Sequence, residues 1–170
     1  MNDPRLILRY SLVIIGALVL QVSLFADLRI FDVHPDVMLL VAVCAGATAG
    51  PTRGATVGFA AGLANDLLLP GRMGVAALAF ALTAYGVGVA SSTVVRPARW
   101  ISVGLVALGS VGGVLLYAAL SQLLGQSTLA DPRLGEIVGI VAGANAVLAL
   151  PTLAICRWAE RDTLRSGLRI

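Results

Sequence analysis

Residues 37–69 read VMLLVAVCAGATAGPTRGATVGFAAGLANDLLL, a stretch with one base, Arg53, and one acid, Asp66. Gly50-Pro51-Thr52-Arg53 is a turn signal that divides it into two apolar segments, 37–49 and 54–69. Glycine recurs at every fourth position on both sides of that turn, at Gly46, Gly50, Gly54, Gly58 and Gly62. Small residues at i and i+4 line one side of a helix and let a second backbone come close, which in lipid replaces the missing hydrophobic drive between helices. The stretch therefore predicts a tightly packed helical hairpin in a membrane. Each arm is short, since a hydrocarbon core of ~30 Å takes about 20 helical residues. A re-entrant hairpin is thus the alternative to two full crossings. We adopt two crossings, and the parity of the topology is the same either way.

Working outward, four longer apolar runs flank the hairpin, at 6–25, 75–95, 101–124 and 137–156. The sequence thus predicts an all-α integral membrane protein, a six-helix transmembrane bundle forming one domain over 1–156. An Arg-rich tail, amphipathic or disordered, follows at 157–170. Of the 170 residues, 58% are hydrophobic and only 12% charged. A soluble domain carries roughly twice that share of charge and exposes too much surface to hide so many apolar side chains. The first run is too long for a signal-peptide core and lacks a small-residue cleavage site, so it reads as a retained span.

All twelve bases are arginines, scattered between the apolar runs with no stripe or cluster that would read nucleic acid. With the N-terminus in the cytoplasm, the inner segments hold Arg5, Arg9, Arg53, Arg96, Arg99, Arg157, Arg161, Arg165 and Arg169, and the outer ones hold Arg29, Arg72 and Arg133. Nine against three obeys the positive-inside rule and places both termini in the cytoplasm. Trp100 and Trp158 then fall on the inner boundary, as interfacial anchors, and the arginines meet anionic lipid.

Few residues could carry chemistry. Cys44 and Cys156 lie singly in apolar runs and read as small hydrophobes, not as a disulfide or metal pair. His34, the only histidine, reads as a solvated loop side chain. No catalytic set, metal cluster or phosphate-binding loop is present in the pattern, so no enzyme, metal or cofactor is expected. Asp66 stands out, since an ionised carboxylate inside an apolar segment costs several kcal/mol unless partnered. It has Asn65 beside it, Asp36 at the start of the preceding helix as a neighbour, and Arg72 as the nearest candidate counter-ion. A tie between the outer ends of two helices is the preferred role, ahead of partner binding, a snorkelling interfacial group or a proton relay. Asp36 reads first as a helix N-cap.

An ordered set of motifs then resembles the MreD family. Gln21-Val22-Ser23 closes the first span, Pro35-Asp36 opens the second helix, and Gly50-Pro51-Thr52-Arg53-Gly54 forms the turn. Gly58-Phe59-Ala60-Ala61-Gly62-Leu63-Ala64-Asn65-Asp66 follows, with Gly74 and Tyr85-Gly86 further on. Beyond residue 90 the resemblance rests on length and hydropathy alone. It implies a non-enzymatic scaffold of the bacterial cell-elongation (rod-shape) complex in the inner membrane, which helps organise peptidoglycan synthesis. Its implied partners are an MreC-like single-span protein and, with it, MreB, RodA and a penicillin-binding transpeptidase. The implied fold is similar to the S component of energy-coupling-factor vitamin transporters, and such an S component is the alternative function. Against it, only Phe25 and Phe31 stand near the first outer loop to stack a vitamin, and the N-terminal Met-His metal motif is absent. The expected partner-binding residues are Gly54, Gly58, Gly62, Asp66 and Asp36, facing the partner's single span.

Overall fold

The described residues form six helices: α1 (Pro4–Leu24), α2 (Val37–Ala49), α3 (Pro51–Leu68), α4 (Val75–Thr93), α5 (Arg99–Leu123) and α6 (Leu134–Ser166). The structure, a computed structural model, describes residues 4–24, 36–68, 73–93, 99–125 and 134–166. Four of the helices, α1, α4, α5 and α6, are long and apolar enough to cross a membrane. The residues around Asp27, Arg29, Asp32, His34 and Pro35, those around Asp131 and Arg133, and Arg72, Arg96 and Arg169 lie outside the described residues.

The shortest helix is the centre of the bundle. α2 is buried continuously from Val37 to Gly46 and packs against all five other helices. Its sequence has no polar stripe to turn toward water, which is the pattern of a helix buried on every side. At 1.5 Å per residue it spans only about 20 Å, and the helices that sheathe it remove the need for it to match the bilayer. It begins at Asp36, whose Oδ1 accepts the Leu39 N–H at 2.9 Å. It ends at Gly50, whose φ of 83° only a residue without Cβ adopts cheaply. Pro51 follows as the first residue of α3, where its fixed φ suits the helix and its missing N–H costs nothing.

The glycine repeat decides how α2, α3 and α4 meet. A Cβ on Gly58 would lie 2.6 Å from the Phe80 carbonyl oxygen, and one on Gly62 would run into the Ala76 carbonyl. Gly46 stands in the same way against Ala84, and Gly54 against Gly46 itself. Further along α4, Gly88 seats the Gly50–Pro51 turn. These helices touch backbone to backbone, which raises the number of dispersion contacts per residue and admits no side chain between them.

α5 and α6 close the other side. Gly109 receives Val43 and Val87, and Gly113 receives Leu39, while Asn145 Nδ2 donates to Ser110 Oγ at 3.0 Å across the α5–α6 contact. α6 does not stop at Cys156; it runs as one helix, with Pro151 inside it, as far as Ser166. The first part of the Arg-rich tail is therefore an extension of that helix.

Candidate functional site

The hairpin delivers its acid to the end of α4. Asp66 lies four residues past Gly62 on α3 and is 9% exposed. Its Oδ2 accepts the N–H groups of Gly74 at 2.8 Å and Ala77 at 3.2 Å, and its Oδ1 accepts that of Ala76 at 3.2 Å. The first turn of any helix has N–H groups without intrahelical partners, and the dipole makes that end positive. The Asp66 carboxylate satisfies three of them at once, and Gly74, with φ 95°, lets the chain turn sharply enough to present them. α3 is thereby tied to α4. Arg72, the expected counter-ion, lies outside the described residues.

Asn65 points elsewhere. Its Oδ1 accepts from Gln21 Nε2 at 3.1 Å, and Gln21 Oε1 in turn accepts the Met38 N–H at 3.2 Å. One carboxamide on α1 therefore holds the end of α3 and the start of α2 together. Asn65 also shares the wall of a cavity of about 230 Å³ with Asp36 and Tyr117. The two acids of the expected site are thus divided: Asp36 faces this cavity with Asn65, and Asp66 is engaged by α4. Burial pushes the Asp36 carboxyl up to about 6, opposed by its hydrogen bonds with the N–H groups of Leu39 and Met38.

Gly54, Gly58 and Gly62 all face inward, onto α2 and α4. The opposite side of α3 presents Phe59, Leu63 and Leu67, all exposed. A small-residue stripe left open on the surface occurs instead on α6, where nothing lies near a Cβ at Gly135, Gly139 or Gly143.

A second polar cluster, at the opposite end of the bundle, was not expected. Glu160 on α6 is 3% exposed. Its Oε1 accepts from Tyr10 Oη at 3.0 Å, and its Oε2 accepts from Arg53 Nη1 at 2.9 Å. Arg9 Nη1 donates to the Ala159 carbonyl at 3.4 Å, and its guanidinium stacks over the Trp158 ring at 5.2 Å. The Arg-rich tail reads as amphipathic or disordered, with no partner for Glu160, but one signal is present in the sequence. Ala149, Leu153, Cys156 and Glu160 follow one another at helical spacing, so the inward face of α6 continues to this acid.

Among the described residues, no three His, Cys, Asp or Glu side chains gather as a metal site would need. What the arrangement does is hold helices: polar fastenings at both ends and a glycine seam between.

The family model described as rod shape-determining protein MreD matches residues 4–142. No curated protein matches the chain, and no solved structure does.

Proposed function

The chain belongs to the MreD family of rod shape-determining proteins, and on that premise we propose that it is a non-enzymatic membrane scaffold of the cell-elongation complex, binding an MreC-like single-span partner. MreB, RodA and a penicillin-binding transpeptidase are its further partners in this reading, all taken from the family. The inner membrane is its location, with both termini in the cytoplasm, a placement supported by nine arginines against three. The helical extension after Cys156 then lies on the cytoplasmic side, where Arg157 and Arg161, both exposed, meet anionic lipid. The likeness to S components of vitamin transporters rests on the family resemblance alone.

The observation that carries the scaffold reading is the construction of the α3–α4 unit. Gly58, Gly62 and the Asp66 cap fix these two helices against each other with almost no side-chain freedom. A rigid pair gives a partner helix a surface that does not have to be ordered on binding. In this proposal Gly54, Gly58, Gly62, Asp66 and Asp36 shape the binding unit from within, and Phe59, Leu63 and Leu67 are what the partner's span touches. Van der Waals packing is the main force available there.

The test is purification of the tagged chain from its native membrane in mild detergent, with co-purifying proteins identified by mass spectrometry. Recovery of a single-span MreC-like protein, lost in a Phe59→Ala/Leu63→Ala variant that still inserts, supports the proposal. Recovery of a pair of ATP-binding cassette proteins in its place sinks it.

A further inference from the structure

The cavity beside Asp36 has a use that helix packing does not explain. Among the described residues, its polar lining comes from three separate parts of the chain: Asp36 before α2, Asn65 on α3 and Tyr117 on α5. Leu39, Phe80, Val114 and Val141 make up most of the remaining wall. The polar groups are held in place in advance. Asp36 is fixed by the Leu39 N–H and Asn65 by Gln21, so neither must be ordered by a ligand. Among the described residues, Asp36 is bonded only to backbone N–H groups. Asp36 is partly exposed, and among the described residues no cation stands beside it; a carboxylate at a mostly apolar recess then leaves attraction for a positive charge unused.

Size and chemistry narrow the occupant. A cavity of about 150 Å³ holds a benzene ring, so this one holds roughly nine non-hydrogen atoms. A single carboxylate is too few oxygen donors for a calcium or magnesium ion. An anion would be repelled by Asp36, and a neutral apolar molecule would displace water from the carboxylate without supplying a charge to meet it.

We propose that this cavity binds a small organic cation, a primary ammonium group on a compact apolar body, with the ammonium paired to Asp36 and the body held between Phe80, Val114 and Val141. The Tyr117 hydroxyl offers the ammonium a second acceptor. This inference does not rest on the scaffold reading and stands or falls separately from it.

The experiment uses the purified full-length chain in lipid nanodiscs, titrated with 2-phenylethylamine by isothermal calorimetry, with 2-phenylethanol as the uncharged control of the same shape. The amine should bind saturably and the alcohol about tenfold more weakly or worse, the range of a charge-assisted hydrogen bond. Asp36→Asn keeps an N-cap residue on α2 and should reduce amine binding to the level of the alcohol. Val114→Phe leaves Asp36 in place, fills the recess, and should abolish binding of both. No saturable amine binding, equal binding of amine and alcohol, or an Asp36→Asn or Val114→Phe variant that binds like the unaltered protein would each overturn the proposal. Amine binding that appears only in an Arg72→Ala variant would overturn it too, because the chain's own arginine would then be the cation.

Discussion

Arg53, in the first turn of α3, closes a 2.9 Å ion pair on Glu160 of α6, 107 residues further along the chain. Tyr10 of α1 binds the other oxygen of the same carboxylate, so three helices converge on one buried charge. At the far end of the bundle Gln21 links α1 to α2 and α3. α1 buries little of its apolar length, with Leu8, Leu12, Ile15 and Val19 all exposed. Its place in the bundle therefore depends strongly on these two polar fastenings.

Arg53→Ala removes one fastening and the positive charge from Glu160, which keeps its hydrogen bond from Tyr10. Breaking a fully buried pair costs about 3–5 kcal/mol; Arg53 is 37% exposed, so a loss of about 2 kcal/mol is expected. The double variant Arg53→Ala/Glu160→Ala should lose less than the sum of the two single changes. Reversible unfolding in mixed micelles measures both, and strict additivity would show that the pair is not coupled.

Asp66→Ala should destabilise the chain by about 2 kcal/mol, at the upper end for a helix cap because three N–H groups lose their acceptor. Asp66→Asn keeps one acceptor oxygen and should recover about half of that. If Asn is no better than Ala, the charge at the α4 dipole matters more than the hydrogen bonds.

Glycines of the same helical spacing should respond oppositely to one added methyl. Gly62→Ala forces a Cβ into the Ala76 backbone, and about 3 kcal/mol or more of lost stability is expected, since backbone cannot move aside as a flexible side chain can. Gly143→Ala meets nothing and should gain up to about 1 kcal/mol from helix propensity. Parallel thermal unfolding in detergent distinguishes the seam from the open stripe, and equal losses at both sites would refute the distinction.

Stability should also depend on pH through Asp36. Its carboxyl is raised from 3.8 to about 6 by burial, so the folded chain holds the proton more tightly than the unfolded one. The resulting stabilisation is fully present below pH 3.8, is lost as pH rises toward 6, and is gone above it. The difference in midpoint between wild type and Asp36→Asn should accordingly move between pH 4 and 6.5 and be flat above that. A difference independent of pH across this window would contradict the shift.

Much of this was legible in the residues, and the limits have physical causes. Apolar runs and the Gly50–Pro51 turn announce six helices because hydropathy and backbone restriction act locally. The every-fourth glycine pattern announced close packing, but pattern alone cannot say which neighbour fills the groove. Here α4 fills it, so Gly54, Gly58 and Gly62 are interior residues, while the same spacing at Gly135, Gly139 and Gly143 lies open. Asp66 was recognisable as an expensive residue; its acceptors' partners, the N–H groups of Gly74, Ala76 and Ala77, were not, because backbone donors leave no mark in a sequence. Glu160 was hidden for a different reason. Its partners lie 107 and 150 positions away, and no local rule connects them.

The Asp66 cap also bears on how the chain enters the membrane. Asp66 stands two residues from the end of α3, so it opposes insertion by less than the about 2.5–3.5 kcal/mol of an aspartate at a helix centre; α3, with Arg53 and Asn65 as well, has little apolar excess to offset it. The N–H groups that shield Asp66 belong to residues 74–77, made only after α3 itself is complete. α3 is therefore expected to enter the bilayer together with α4, as a pair. A glycosylation acceptor in a lengthened α3–α4 connection should be modified poorly in a chain truncated before α4 and efficiently in one that continues through residue 93; equal modification in both would mean that α3 partitions alone.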